Sequence, residues 1–391
     1  MVTITTRARA GLAVLVRHPW VVLALWSACW SLIHVAGRGW SWHFIAEGST
    51  ALFSSSGLDL YAQHPELQMG PLNFVLGAPF VLLLRGRPGE AAGLAFMLAL
   101  GLLVVRELRA RTGQRTVRSD QLWLGSSLLI MLVWTELAVH WGHLDDAMAL
   151  LCTVVALRMV RSGHVLASAV WLGLAVDFKP WAIPFVALIL IAPSRKWPLA
   201  ALIWVAVVAA AWAPFVIAFP ATLHLTEFTI PVDPASTLHL FGATDGTPAW
   251  CRYVQILGGT ALAVFAVARG RWASTVLVVI ALRMLFDPAT KTYYEAGLVV
   301  GTAVFDIALA VSVYPIASLA AMLTVYLPAV VVPEEPTVRG LLRTAGLTAL
   351  ICVGLAIPRR PDRMPVIDAA IGGPALVPDI VGESSAGPPD G

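Results

Sequence analysis

Long apolar runs separated by short polar segments fill the chain from residue 20 to residue 357, and many approach the ~20 residues that cross a bilayer as a helix. Placing the Arg- and Lys-rich loops in the cytoplasm orients these runs. Residues 20–36 leave Arg7, Arg9 and Arg17 behind and deliver 37–90 to the far side; 91–105 then return to Arg106, Arg109, Arg111, Arg115 and Arg118. Further spans are expected at 122–139, 147–160, 165–178, 181–192 and 198–219, then one ending before Arg269 and Arg271. The remainder are 273–286, two more through Tyr314-Pro315, and 340–357 ahead of Arg359, Arg360 and Arg363. The pattern predicts about twelve transmembrane helices with both termini inside. Two other apolar stretches read as interfacial helices of the first outer loop. Residues 40–53 put Trp40, Phe44 and Leu52 on one helical face, whereas 71–84 are too short to span and contain Pro79. Counting 71–84 as a span would also put the arginine loop outside. Arg339 and Arg343 fall on the wrong side of this topology.

The composition agrees with the pattern. Hydrophobic residues are 58% of the chain and charged residues 13%, against roughly 45–50% and 25% for a soluble domain. The expected fold class is all-α, a polytopic membrane domain over 1–363. The tail, 364–391, is rich in Pro, Gly and Ser with Asp and Glu; it has too little apolar surface for a core and is expected to be disordered in the cytoplasm. A net charge of +3, carried by clustered arginines, requires no nucleic-acid partner. Cys29, Cys152, Cys251 and Cys352 lie in or beside apolar runs without the paired spacing of a disulfide framework or zinc site, so free, packed thiols are expected. Because no small-residue cleavage site precedes Trp40 and Trp42, 20–36 reads as a retained helix rather than a signal peptide.

This topology gathers polar residues on the outer side. Asp59, His64, Glu66, His140, His143, Asp145, Asp146, Lys179, Asp233, His239, Asp287, Lys291, Tyr293, Tyr294 and Glu295 all fall there, a setting for a pocket over an apolar bundle. Each has a plain structural alternative. Asp59 suits a turn in its Ser/Gly loop. Asp145 and Asp146 suit the first turn of a helix, where carboxylates accept from free backbone N–H groups. Together with His143 they also offer metal-ligand types, although adjacent carboxylates rarely share one ion. Lys179 can snorkel to the headgroups. Arg283 can pair with Asp306 of the next helix or bind a phosphate bidentately. Lys291 adds a cation beside the aromatic faces of Tyr293 and Tyr294, on which a sugar could stack.

Three motifs carry a family resemblance. Asp59-Leu60-Tyr61 precedes Gly70-Pro71-Leu72 with His64 between; His140-Trp141-Gly142-His143 opens a short outer loop; and Phe178-Lys179-Pro180 ends a span. Together they resemble the GT-C superfamily of glycosyltransferases, above all its polyprenyl-phosphate-mannose-dependent α-mannosyltransferases, over most of 20–357. Gln68-Met69-Gly70-Pro71 departs from the family's aromatic-Pro-Pro pattern. The resemblance implies a multi-pass enzyme of the plasma membrane with its active site on the extracytoplasmic side. It would move a sugar, mannose first and arabinofuranose second, from a polyprenyl phosphate donor to a glycolipid or glycan acceptor, with inversion. Asp59 would be the general base, with Tyr61, His64, His143, Asp145, Asp146, Lys179, Arg283, Lys291, Tyr293 and Tyr294 binding substrate. No cofactor or metal is implied. The competing class is a transporter or flippase of a lipid-linked sugar; a membrane O-acyltransferase with His143 as base is a third reading.

Overall fold

The structure is a computed structural model that describes residues 17–55, 57–110 and 116–357. The tail 364–391 lies outside the described residues, as do Arg7, Arg9, Arg111, Arg115, Arg359, Arg360 and Arg363. Among the described residues the chain is helical, with an isolated bridge between Pro231 and Gly246 in place of any sheet. In chain order the helices are α1 Pro19–His34, α2 Trp42–Leu52, α3 Leu60–Gln63, α4 Pro71–Ala78, α5 Gly86–Arg109 and α6 Val117–Thr135. Next come α7 Leu144–Arg161, α8 Val165–Phe178, α9 Trp197–Ala218, α10 Thr237–Leu240, α11 Trp250–Tyr253 and α12 Gly259–Ala268. The last are α13 Thr275–Leu285, α14 Glu295–Leu309, α15 Ile316–Ala321, α16 Leu327–Val331 and α17 Pro336–Ala356. Proline opens α1, α4 and α17, where its missing N–H costs nothing. Thr116 and Ser119 close a capping box at the start of α6.

Six helical stretches are long and apolar enough to cross a membrane: Pro19–Gly37, Gly86–Arg109, Val117–Trp141, Ser194–Ala218, Trp250–Ala268 and Pro336–Ala356. Their outward faces are greasy: Leu25 and Leu32 of α1 are 68% and 76% exposed, and Ile217 of α9 is 81% exposed. Such faces belong against lipid tails rather than water. Helix α7 is the opposite case. From Leu144 to Leu157 every side chain but Met148 is buried, because α5 and α8 pack on its sides. Helix α14 is enclosed in the same way by α6 and α13. A helix apolar all round is either lipid-facing or central, and the bundle uses both kinds.

Two departures from regular α-helix position the polar end. Residues Pro180–Ile191, expected as a short α-helical span, form a 3₁₀ helix with Pro184 inside it. At about 2.0 Å of rise per residue, such a segment reaches roughly a third further than the same residues in an α-helix. The end of α6 widens into a π-helical turn over Glu136–Trp141, which Gly142 stops in the left-handed region at φ 72°. Its last carbonyls are met by another segment's backbone: Gly39, Trp40 and Ser41 donate N–H bonds to Val139, His140 and Trp141 at 2.9, 2.9 and 2.8 Å. Helix ends need such partners.

Candidate functional site: a buried polar centre at one end of the bundle

The start of α7, the end of α8 and the loop after α13 meet at one end of the bundle. Asp145 and Asp146 occupy the first turn of α7, but neither caps it, which corrects the capping expectation; their oxygens turn to side chains instead. The Lys179 ammonium sits directly on Asp145 Oδ2 and lies 3.8 Å from Asp146 Oδ2. Trp181, placed by the first turn of the 3₁₀ segment, donates its indole N–H to Asp146 Oδ1 at 2.8 Å. His143 Nδ1 is 3.3 Å from Asp145 Oδ1 and 3.7 Å from Asp146 Oδ2, and its ring stacks on Tyr293 with centroids 3.8 Å apart. Tyr294 lies edge-on to Tyr293 at 4.4 Å. Thus His143, Asp145, Asp146, Lys179, Tyr293 and Tyr294 come together as grouped in the sequence. His143, Asp145 and Asp146 each offer a donor atom within 4.8 Å of the others, and the Lys179 ammonium is the cation that faces both carboxylates.

Arg283 joins the cluster with a different partner from the one expected. It pairs with Asp287, one turn on, at 3.7 Å, and its guanidinium lies over the rings of Trp181 and Tyr294 at 4.8 and 4.6 Å. Asp306 is taken up elsewhere, accepting from the Ala317 and Ser318 backbone N–H groups and the Ser318 hydroxyl. Arg343, misplaced by the topology read from the sequence, is buried at this same end. It donates to the Met284 carbonyl at 3.3 Å within electrostatic reach of Glu295 and Asp287.

Burial and pairing compete at these acids, with different winners. At Asp145 burial pushes the carboxyl up, but Lys179 and His143 more than offset it and hold the group well below the usual carboxylate range. Lys179 answers in kind: burial lowers its ammonium, and Asp145 and Asp146 raise it further than that. At Asp287 burial prevails over Arg283 and the carboxyl is raised.

The loop expected to hold the base is fastened beside this centre rather than inside it. The Tyr61 hydroxyl donates to the Met69 carbonyl at 2.8 Å, and its buried ring stacks on Trp212 at 5.1 Å. Gln68 donates to the Leu225 carbonyl and accepts from Arg252. Gly70 donates to the Phe178 carbonyl at 2.8 Å, one residue before Lys179, and a Cβ at position 70 would run into the Asp177 carbonyl. The departure from the aromatic-Pro-Pro pattern therefore falls where side-chain bulk has no room. Asp59 is half-buried at the head of α3, packed with its turn against α9, and no hydrogen bond or ion pair engages its carboxylate among the described residues. His64 is exposed and pairs with Glu66 at 3.1 Å. Lys291 is exposed, with its ammonium 5.4 Å above the Trp141 ring.

The sequence reading missed a neighbouring group. Glu136, 5% exposed, accepts from His34 at 2.9 Å, from Thr292 at 2.5 Å and from Trp141 at 3.1 Å, with His140 at 3.3 Å. A lone acid inside an apolar run was the available signal, since intramembrane carboxylates are rarely idle. Asp177 carries the same signal: it is 1% exposed, and its Oδ1 has no hydrogen-bond partner. All four cysteines are free, Cys152 and Cys251 buried and Cys29 and Cys352 exposed. Fold and site together define an all-helical membrane protein with a polar centre buried at one end. No protein-family model, curated protein or solved structure matches the chain.

Proposed function

We propose that this protein is an integral membrane glycosyltransferase that moves a sugar, most readily mannose, from a polyprenyl phosphate donor to a glycolipid or glycan acceptor outside the cytoplasm. The observation that carries this reading is the convergence of Lys179, Arg283, His143, Tyr293 and Tyr294 from separate loops at one end of an apolar bundle. That end offers cations for a lipid phosphate and aromatic faces for a sugar ring. Nucleotide sugars are made in the cytoplasm, so a transferase facing outward is better served by a donor carried in the lipid. The arrangement goes with about twelve spans in the plasma membrane, both termini inside and α2 and α4 lying in the interface.

In the transfer, Asp59 takes the acceptor hydroxyl proton as that oxygen attacks the anomeric carbon. The anomeric C–O bond breaks, and its electron pair leaves with the polyprenyl phosphate, so the sugar is inverted. A phosphate needs no acid to leave, and a second carboxylate is unnecessary. Lys179 and Arg283 are already matched with carboxylates, whereas Lys291 has no carboxylate partner among the described residues and is the freest of the cations for the phosphate. The unengaged carboxylate of Asp59 suits a base in the same way.

Purified protein in lipid nanodiscs, supplied with radiolabelled polyprenyl phosphate mannose or arabinose and a membrane glycolipid extract, should consume one donor and label the lipid. In sealed vesicles, donor that crosses the bilayer unconsumed would identify a flippase instead. The topology is tested by cysteines introduced at positions 59, 87, 113 and 291. The first, second and fourth should react with an impermeant thiol reagent in intact cells, and reaction at 113 overturns the orientation.

A further inference from the structure

Glu136 is a buried carboxylate whose partners include neither a lysine nor an arginine, unlike Asp145 and Asp287 of the adjoining cluster. A carboxylate out of water needs a counter-charge. The groups around Glu136 are imidazoles from two helices: His34 at the end of α1, on Oε2, and His140 from the π-helical turn, near Oε1. Oε1 already accepts from Thr292 at 2.5 Å and Trp141 at 3.1 Å, which fills both its lone pairs. His140 Nδ1 lies 3.3 Å from the same crowded oxygen, while His34 is the partner of Oε2 among the described residues.

We propose that His34 Nδ1, a Glu136 carboxylate oxygen and His140 Nδ1 form a binding site for one late first-row divalent metal ion, such as Zn²⁺. One donor atom from each residue lies within 4.8 Å of the others. Ligands about 2.0–2.2 Å from a tetrahedral ion are roughly 3.3–3.6 Å apart, so the 2.9 Å between His34 Nδ1 and Oε2 needs only a small widening, and His140, whose Nδ1 now lies 3.3 Å from Oε1, completes the set by turning toward the same ion. Two imidazoles and a carboxylate suit zinc, cobalt or nickel over magnesium or calcium, which take oxygen. The surrounding shell is that of a metal ligand: Thr292 and Trp141 hold the far carboxylate oxygen, as outer partners orient ligating carboxylates. The supports are fixed by backbone, because the Gly39–Ser41 N–H groups tie the end of α1 to the carbonyls of 139–141. Three protein ligands leave a fourth position open, toward the 39%-exposed side of His140, for water or an oxygen ligand. The site stands apart from the transfer chemistry proposed above, since none of its ligands has a role there.

The test is metal binding by the full chain in nanodiscs, stripped with chelator and titrated with Co²⁺ and Zn²⁺. It is read from visible d–d absorption and from metal content after desalting. One ion per chain with a four-coordinate nitrogen–oxygen spectrum is expected, with affinity reduced at least about tenfold by Glu136→Gln and by His140→Ala. Thr292→Val should weaken binding by about 10–100-fold through the outer shell, an effect that a chance surface histidine would not show. If Glu136→Gln does not fold, the half-exposed His140 carries the test. No bound ion in the wild type overturns the site, as does binding that survives His140→Ala but vanishes in His143→Ala.

Discussion

Helix α7 carries a different chemistry at each of its ends, about 25 Å apart by helical rise. At its last turn Arg158 pairs with Glu107 at 2.8 Å and Arg161 lies over the Trp272 ring at 3.7 Å. Nearby, Arg109 sits over Trp123 at 4.4 Å and 3.8 Å from Asp120. These are anchoring arrangements, suited to the boundary between lipid and water. At its first turn, Asp145 and Asp146 are buried with Lys179, His143 and Trp181. Helix α13 repeats the contrast, with Arg271 reaching the Ala356 carbonyl before one end and Arg283 held by Asp287 at the other. A basic end that is all anchorage and a mixed end that is densely paired divide the labour of the bundle. Within the mixed end the carboxylates are matched with cations, whereas Lys291 at its rim and Asp59 in the loop beside it have no such partner among the described residues, and these are the groups to which the proposed transfer gives roles.

The sharpest way to break that division is Asp59→Asn, which keeps shape but cannot take a proton. Turnover should fall by about 10²–10⁴-fold while the protein folds and binds donor normally. Near-normal turnover would leave Asp59 as a turn residue, since Asn makes the same turns. Lys179→Ala should act on stability first: stranding the buried Asp145 costs roughly 3–5 kcal/mol in thermal or denaturant unfolding. Adding Asp145→Asn should recover much of the loss, and a single variant as stable as wild type would show that the pair does not hold the end together. Lys291→Ala should leave stability unchanged within about 0.5 kcal/mol. It should nonetheless weaken use of the lipid donor by about ten- to a hundredfold, the loss of one charge-assisted contact.

The smallest effect is in pH. Asp145 is held below its ordinary value, so its contribution is complete above about pH 3.9 and lost as acid takes the pH lower. Lys179 is raised, so its contribution persists until the pH climbs past about 10.4. Unfolding measured between those limits should show no slope from this pair. A slope near neutrality that disappears in Asp145→Asn would contradict the pairing.

The helices were legible in the sequence because the lipid-facing and central segments are both apolar over their whole length, a signal that needs no partner to be read. The six long stretches overlap spans at 20–36, 91–105, 122–139, 198–219 and 340–357, and the one before Arg269. The polar residues of the short loops were legible too, since Asp145, Asp146, Lys179 and Tyr293 stand out against apolar neighbours. Pairing was not. Whether Arg283 meets Asp287 or Asp306 depends on how α13 is rotated, and no periodicity in an all-apolar helix records that rotation. Arg343 looked misplaced because loop charge was counted as orientation, whereas the side chain is a buried member of the mixed end. Glu136 and His34 were passed over because each sits within an apolar run, where a single polar letter reads as an exception. Trp181 read as one more apolar residue, with nothing to mark its indole N–H as the partner of Asp146.

The three N–H bonds from Gly39, Trp40 and Ser41 to the end of α6 have a mechanical consequence. They are made by main chain alone, so proline at 40 or 41 removes a donor outright, and at 39, where φ is 54° and a Cβ would meet Leu94, glycine itself is required. A Cβ at position 142 would also press on Gly39. Helices α1 and α6 in this way behave as one stiff wall around His34 and Glu136. Any opening at this end should come from the opposite wall, and amide hydrogen exchange should find 39–41 among the slowest sites of the segments that link the helices.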